Sequence, residues 1–227
     1  MQEIQSVKEY LEHIGSDKVY DHDLIDCEVC GSKDFTVICE KTDIGGGYLA
    51  PLPVQCCNKC GFLMQNPRFS KEFYKRFYEE FYPISRVKSN SNKPNDPKNI
   101  GGKTIVNDDG SPTESHFQSA YKRANFLYEY IKNKNFRIPN KSFLDVGCGC
   151  GAFIKYFEEQ GFESYGNDPE PLSVKGAFER GIKIDNIPGE EMIFEKNKFG
   201  LIIIMGSLEH AHDPNIILKK CWEYLAE

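Results

Sequence analysis

Long apolar runs are what this 227-residue chain has least of. The longest strongly apolar stretch, Leu201 to Met205, falls far short of the roughly 20 residues that span a bilayer. The N-terminus, Met-Gln-Glu-Ile-Gln-Ser-Val, lacks a basic n-region and an apolar h-region, so the sequence reads as cytoplasmic. A cationic excess is missing too. Lys and Arg number 28 against 34 Asp and Glu, giving a net charge of −6 and a pI near 5.5, which makes nucleic acid and anionic membrane poor first choices of partner. The length leaves room for one domain or two small ones. Apolar residues at 40% and charged residues at 27% exclude global disorder and fibrous repeats. Nine cysteines, an odd total, argue against a disulfide framework, so their spacing carries the meaning.

Four regions follow from the pattern. In residues 1–24, Val7, Leu11 and Ile14 stand at helical spacing before Gly15, which predicts a short packing helix. Residues 25–68 hold two Cys-x-x-Cys-Gly turns, the β-like runs Phe35 to Cys39 and Phe62 to Met64, and Gly45-Gly46-Gly47 between them, a small metal-stapled β unit. Residues 69–141 read as a helical linker region. There Ser70 is placed to cap a helix carrying Phe73, Tyr74, Phe77, Tyr78 and Phe81, an aromatic stripe of the kind that faces a core. Residues 88–110 are rich in Asn, Ser, Lys and Gly and are expected to form a mobile loop. Ser111 as N-cap, Pro112 at N1 and Glu114 at N3 then open a helix with Phe117, Ala120, Tyr121, Ala124, Leu127, Tyr128 and Ile131 on one face. From 142 to 227, predicted strands 142–147, 163–168, 182–185 and 200–205 alternate with helices 151–160, 171–180 and 214–225. That alternation is the mark of an α/β fold with a parallel sheet covered by helices.

Cys27-x-x-Cys30-Gly31 and Cys57-x-x-Cys60-Gly61 are two knuckles with 26 residues between the inner cysteines. Four thiolates delivered in pairs suit tetrahedral zinc, and a full thiolate set makes the metal structural rather than catalytic. Each glycine lets the backbone turn tightly and aim amide hydrogens at the sulfurs. Cys39, Cys148, Cys150 and Cys221 lie in apolar or Gly-rich runs and are read as small buried residues.

Phe143-Leu144-Asp145-Val146-Gly147-Cys148-Gly149-Cys150-Gly151 is a buried strand entering a glycine-rich turn and then a helix, the layout of a nucleotide-cofactor loop. A carboxylate at Asp145 repels a pyrophosphate. S-adenosyl-L-methionine brings no phosphate and carries an ammonium and a sulfonium that an acid favours. Asp168, 17 residues beyond Gly151, ends the next strand, where an acid accepts ribose hydroxyl hydrogens. His210 follows the apolar strand by five residues, at the carboxyl end of the sheet, and an imidazole there suits proton removal. The alternative is a helix-start histidine that packs against cofactor without moving protons.

With these motifs the sequence resembles class I S-adenosylmethionine-dependent methyltransferases, through Asp145 to Gly151, Tyr165-Gly166-Asn167-Asp168-Pro169, Leu208-Glu209-His210 and Asp213-Pro214. The likeness covers residues 142–227. With the upstream knuckles it narrows to methyltransferases carrying an N-terminal zinc-binding domain, a group that includes sugar C-methyltransferases and enzymes of surface-polysaccharide and deoxysugar pathways. It implies a Rossmann-like sheet preceded by a zinc-ribbon-like unit, and cofactor held by Asp145, Gly147, Gly149, Gly151 and Asp168. Glu190 would lie where that fold meets adenine, or else be a solvated charge. Glu209 and His210 would face a small polar acceptor such as a nucleotide-linked sugar. A tyrosine found two residues before that glutamate in some of these enzymes is Ser207 here. An RNA methyltransferase, which the acidic balance disfavours, and a non-catalytic partner subunit are the alternatives. The resembling fold has seven strands and this sequence reaches four, in the expected order 3-2-1-4. Strand 4 would then be an apolar edge that pairs with a partner chain or a second copy. The 88–110 loop, with Tyr78, Tyr82 and Arg86, is expected to cover the acceptor.

Overall fold

Two cysteine-bearing turns and a set of short strands build the N-terminal part of the protein. The structure, a computed structural model, describes residues 7–14, 22–40, 42–43, 49–50, 52–81, 106–107 and 111–227, in two compact units, 1–77 and 78–227. The first begins with helix α1 (Val7–Ile14) and contains β1 (His22–Asp23), β2 (Phe35–Cys39), β3 (Thr42–Asp43), β4 (Leu49–Ala50), β5 (Val54–Cys57), β6 (Leu63–Gln65) and β7 (Arg68–Phe69). β2, β5 and β6 form an antiparallel sheet in that order. Its buried side chains include Leu11, Leu52, Met64, Phe69 and Phe73. Ser70 caps α2 (Lys71–Arg76) as predicted, its hydroxyl accepting from the Phe73 amide, and Phe73 stacks on Phe69 at 3.8 Å between ring centres. A π-helical turn, Phe77–Phe81, follows.

One buried polar pair and one buried ion pair tie this unit across its sequence. Asn66 accepts from the Ile25 amide and donates to its carbonyl, and Arg68 meets Glu28 at 2.9 Å. Cys39, expected to be buried, is exposed. It ends β2, an edge strand that pairs only with β5 among the described residues. Tyr82, Arg86 and nearly all of the 88–110 loop lie outside the described residues, while Tyr78 sits in the π-helical turn.

The second unit is ordered around β8 (Ser142–Val146), whose five residues are all buried. α3 (Glu114–Asn133) precedes it; α4 (Ala152–Glu159), β9 (Glu163–Asn167), α5 (Pro171–Glu179), β10 (Leu201–Ile204) and α6 (Pro214–Tyr224) follow. β8 lies between β9 and β10, parallel to both, with Ser142 opposite Glu163 and Phe143 opposite Leu201. The predicted third strand, 182–185, shrinks to one parallel bridge, Asn167 to Asp185. Ile182 is taken up by packing instead, since it fills the space beside Gly151. The lateral order is nonetheless the expected 3-2-1-4 with the bridge in place of strand 3.

The α3 cap also differs from the prediction. Thr113, not Ser111, is the N-cap, its hydroxyl accepting from the His116 amide. Ser111 is engaged with Asn107, and Pro112 stays extended in a bridge to Val106, so the helix cannot start there.

Side chains alternate along β8, as a strand requires. Phe143 enters the layer with α3 and α4, where it stacks on Phe157 at 4.1 Å. Leu144 and Val146 enter the opposite layer with Met192, Phe199, Ile217 and Tyr224. Phe157 is fully buried, so Phe157→Ala is expected to cost about 3–5 kcal/mol of stability, measured by urea denaturation. No helix among the described residues is long and apolar enough to cross a membrane. On the outer side of β10, Ile202, Ile204, Leu218, Cys221, Trp222 and Leu225 line an apolar groove.

Candidate functional site

The turn after β8 is built by three glycines with two different duties. Gly147, Gly149 and Gly151 all adopt positive φ, +73°, +54° and +75°, a region that costs any residue with a Cβ. A Cβ at Gly147 would stand 2.4 Å from that of Ser207, and one at Gly151 would stand 2.8 Å from Cγ2 of Ile182. Those two positions are close-packed. At Gly149 nothing lies within 4 Å, so this glycine presents bare backbone to open space.

Asp168, just past β9, fastens that turn. One carboxylate oxygen accepts from the Gly149 amide at 2.8 Å and the other from the Glu170 amide at 2.9 Å. The Asn167 carbonyl accepts from the amides of Gly147 and Cys148, so the ends of β8 and β9 are joined by backbone and side chain alike. Asp145 points to the Phe143 side of the sheet and is 4% exposed. Burial pushes its carboxyl up to about 7, with the nearby charge of Asp168 adding to the effect. An acid in this state ionises readily when a cation arrives.

Glu209 and His210 occupy a 3-10 turn, Leu208–His210, directly beyond β10, and both are exposed. Glu190 is occupied within the protein: its carboxylate accepts from the Asp213 amide at 3.0 Å, while Asp213 caps α6 through the amides of Asn215 and Ile216. Ser207 is the residue sequence reasoning left without a role. Its hydroxyl donates to the Val146 carbonyl at 2.7 Å and its side chain covers Gly147, locking the glycine turn to the segment that carries Glu209 and His210. The only signal for it was the absence of a side chain at Gly147, which does not say what fills the gap.

In the first unit, one sulfur from each of Cys27, Cys30, Cys57 and Cys60 falls within 4.8 Å of the others. The Gly31 and Gly61 amides donate to the carbonyls of Cys27 and Cys57. Positive φ at each glycine brings the next amide round, so that Ser32 faces the Cys30 sulfur and Phe62 the Cys60 sulfur, as the sequence suggests. Cys57 and Cys60 are driven in opposite directions. Against the cost of desolvation, the amides of Cys60 and Lys59 and the neighbouring sulfurs draw Cys57 down to about 6. Despite the Phe62 amide, desolvation and the neighbouring sulfurs push Cys60 up to about 12. Four sulfurs this close share their negative charge badly unless a cation joins them.

Comparison finds several known proteins to which the chain is similar. The ubiquinone biosynthesis O-methyltransferase of Bordetella avium is 29% identical over 115 residues, 48% of this chain and 48% of that protein. Its namesake from Pasteurella multocida is 35% identical over 112 residues, 42% and 46% of the two chains. The chain thus matches about half the length of these relatives. Among solved structures, the PH0226 protein of Pyrococcus horikoshii is 21% identical over 50% of this chain and 51% of that one, with a TM-score of 0.42. Residues 117–227 match the family model described as a methyltransferase domain, and the parallel order β10-β8-β9 gives this part of the chain a Rossmann-like α/β fold.

Proposed function

We propose that the protein transfers a methyl group from S-adenosylmethionine to a hydroxyl of a small polar acceptor. The observation that carries this reading is the open face of Gly149, held by Asp168 and flanked by the buried acid Asp145. These residues fit the cofactor: Asp168 is at the strand end where an acid accepts from a ribose, the Gly149 backbone admits close approach, and Asp145 suits a cationic group. Gly147 and Gly151 support the turn by packing. Glu190 acts through the α6 cap at the edge of the site. Bound S-adenosylmethionine supplies an electrophilic methyl group, and the protein's part is to align an acceptor oxygen with it and take up the proton that oxygen sheds. His210, exposed on the turn after β10, is the group for that proton, with Glu209 beside it.

The name of the relatives, O-methyltransferase, supports oxygen over carbon as the acceptor atom. A nucleotide-linked sugar and a phenolic hydroxyl are the two acceptor classes to compare, by following labelled methyl groups into each. The four-cysteine cluster supports a structural zinc, since tetrahedral thiolate ligation leaves no open position for chemistry. The apolar edge of β10 supports a place for a partner strand.

Titration calorimetry tests the cofactor reading. Wild-type protein is expected to bind S-adenosylmethionine, and Asp168→Ala to bind at least about tenfold more weakly, because it removes charge-assisted hydrogen bonds worth roughly 1.5–3 kcal/mol. An Asp168→Ala protein with unchanged affinity, or a wild-type chain with none, would overturn it.

A further inference from the structure

The overall acidity of the chain conceals one strongly basic stretch. Residues 122–141 hold six of the 28 Lys and Arg but only one of the 34 acids, Glu129, and that one is paired with Lys132 at 3.0 Å. The stretch comprises the second half of α3 and the segment leading to β8.

Its exposed face is also aromatic. Lys122, Phe126 and Tyr130 follow one another at intervals of four, which places them along one side of the helix. Ala120, Ala124 and Ile131 occupy the buried side. Phe126 is 74% exposed, Tyr130 47% and Phe136 61%. Arg123 and Arg137 are exposed among them, and Lys134 lies over the Tyr130 ring at 5.8 Å. Neither Arg123 nor Arg137 meets an acid among the described residues.

We infer that this face docks on an anionic lipid surface. A convex helix with a short aromatic stripe flanked by cations matches a planar interface, where rings enter the headgroup boundary and Lys and Arg meet the negative charge. Single-stranded nucleic acid, the other polyanion, is held in a basic groove that tracks its backbone, and a convex helix offers none. The excess of acids elsewhere in the chain favours one orientation, with this face toward the membrane and the remainder held off it.

Sedimentation of the full-length protein with vesicles tests the assignment. Protein is expected to pellet with vesicles of phosphatidylcholine and phosphatidylglycerol in equal parts, to stay in solution with phosphatidylcholine alone, and to be released by high salt. Lys122→Glu with Arg123→Glu is expected to lower the partition coefficient by at least about thirtyfold, and Phe126→Ser with Phe136→Ser by roughly tenfold. Phe178→Ser removes a ring that is 73% exposed on α5 and is expected to change nothing. Thermal melting of each variant separates lost docking from lost folding. Sedimentation that is absent, independent of lipid charge, or equal in the Lys122→Glu, Arg123→Glu protein would overturn the inference, as would retention on single-stranded RNA under conditions where the vesicles are not bound.

Discussion

Replacing Asp145 by Asn is expected to stabilise the unliganded protein near pH 8 while weakening its hold on S-adenosylmethionine. The carboxyl is buried and titrates at about 7, against about 3.9 in an unfolded chain. Below about pH 4 both states keep the proton and Asp145 has no effect on stability. Between about pH 4 and 7 the unfolded chain has lost its proton while the folded one retains it, so stability falls as pH rises; above about 7 the penalty is complete. It amounts to at most about 4 kcal/mol. Asn removes the charge while keeping the shape, so the gain should be near zero at about pH 4 and largest at about pH 8, read from urea midpoints.

Cofactor binding should respond in the opposite sense. A cation beside Asp145 favours the ionised form, so wild-type affinity should rise by up to tenfold per pH unit until about pH 7 and then level off, with up to one proton released per molecule bound. The Asn variant should lose this pH dependence and bind roughly ten- to a hundredfold more weakly at about pH 8. Calorimetry in two buffers of different ionisation heat measures both quantities. An Asn variant that binds as tightly as wild type would make Asp145 a structural acid with no share in the cofactor site. Stability conceded at a position that binds ligand is the usual signature of a functional residue.

What the sequence made legible here is what a local pattern can encode. The strand Ser142–Val146, the turn at Gly147, Gly149 and Gly151, and the placement of Asp168 after β9 follow from hydrophobic runs ended by glycine and acid. Less legible were outcomes decided by competition between near-equal neighbours. Ser111 and Thr113 are both hydroxyl residues beside Pro112, and the contest was settled by the bridge from Pro112 to Val106 and by the Asn107 side chain on Ser111. Ile182 and Ile184 alternate like a strand, yet Ile182 was claimed by the hollow at Gly151. Least legible were side-chain contacts across long separations, such as Ser207 on Val146 and Glu190 on the Asp213 amide. Their partners become neighbours only once the sheet has formed, and they are the contacts that fix the rim of the candidate site.

Stripping metal from Cys27, Cys30, Cys57 and Cys60 is expected to unfold the antiparallel strands around them while the parallel sheet of the second unit stays intact. The four sulfurs converge within 4.8 Å, and the knuckle turns that bring them together rest on two backbone hydrogen bonds each, the amides of Cys27 and Gly31 donating to the carbonyls of Ser32 and Cys27, and those of Cys57 and Gly61 to the carbonyls of Phe62 and Cys57. Apolar burial here is modest, with the outer strand Phe35–Cys39 mostly exposed. Structural zinc bound by thiolates contributes on the order of 10 kcal/mol, comparable to the whole stability of a typical domain. Its loss therefore outweighs what the remaining contacts supply. The second unit has its own core around Phe143, Phe157 and Leu144, so the damage should stop at the unit boundary. Metal analysis of freshly purified reduced protein is expected to return about one zinc per chain. After chelation, hydrogen exchange should accelerate at the amides of Cys27, Gly31, Cys57 and Gly61 and remain slow along β8 and β9. Protein free of metal, or exchange that accelerates equally in both units, would show that the cysteine cluster is not what holds the first unit together.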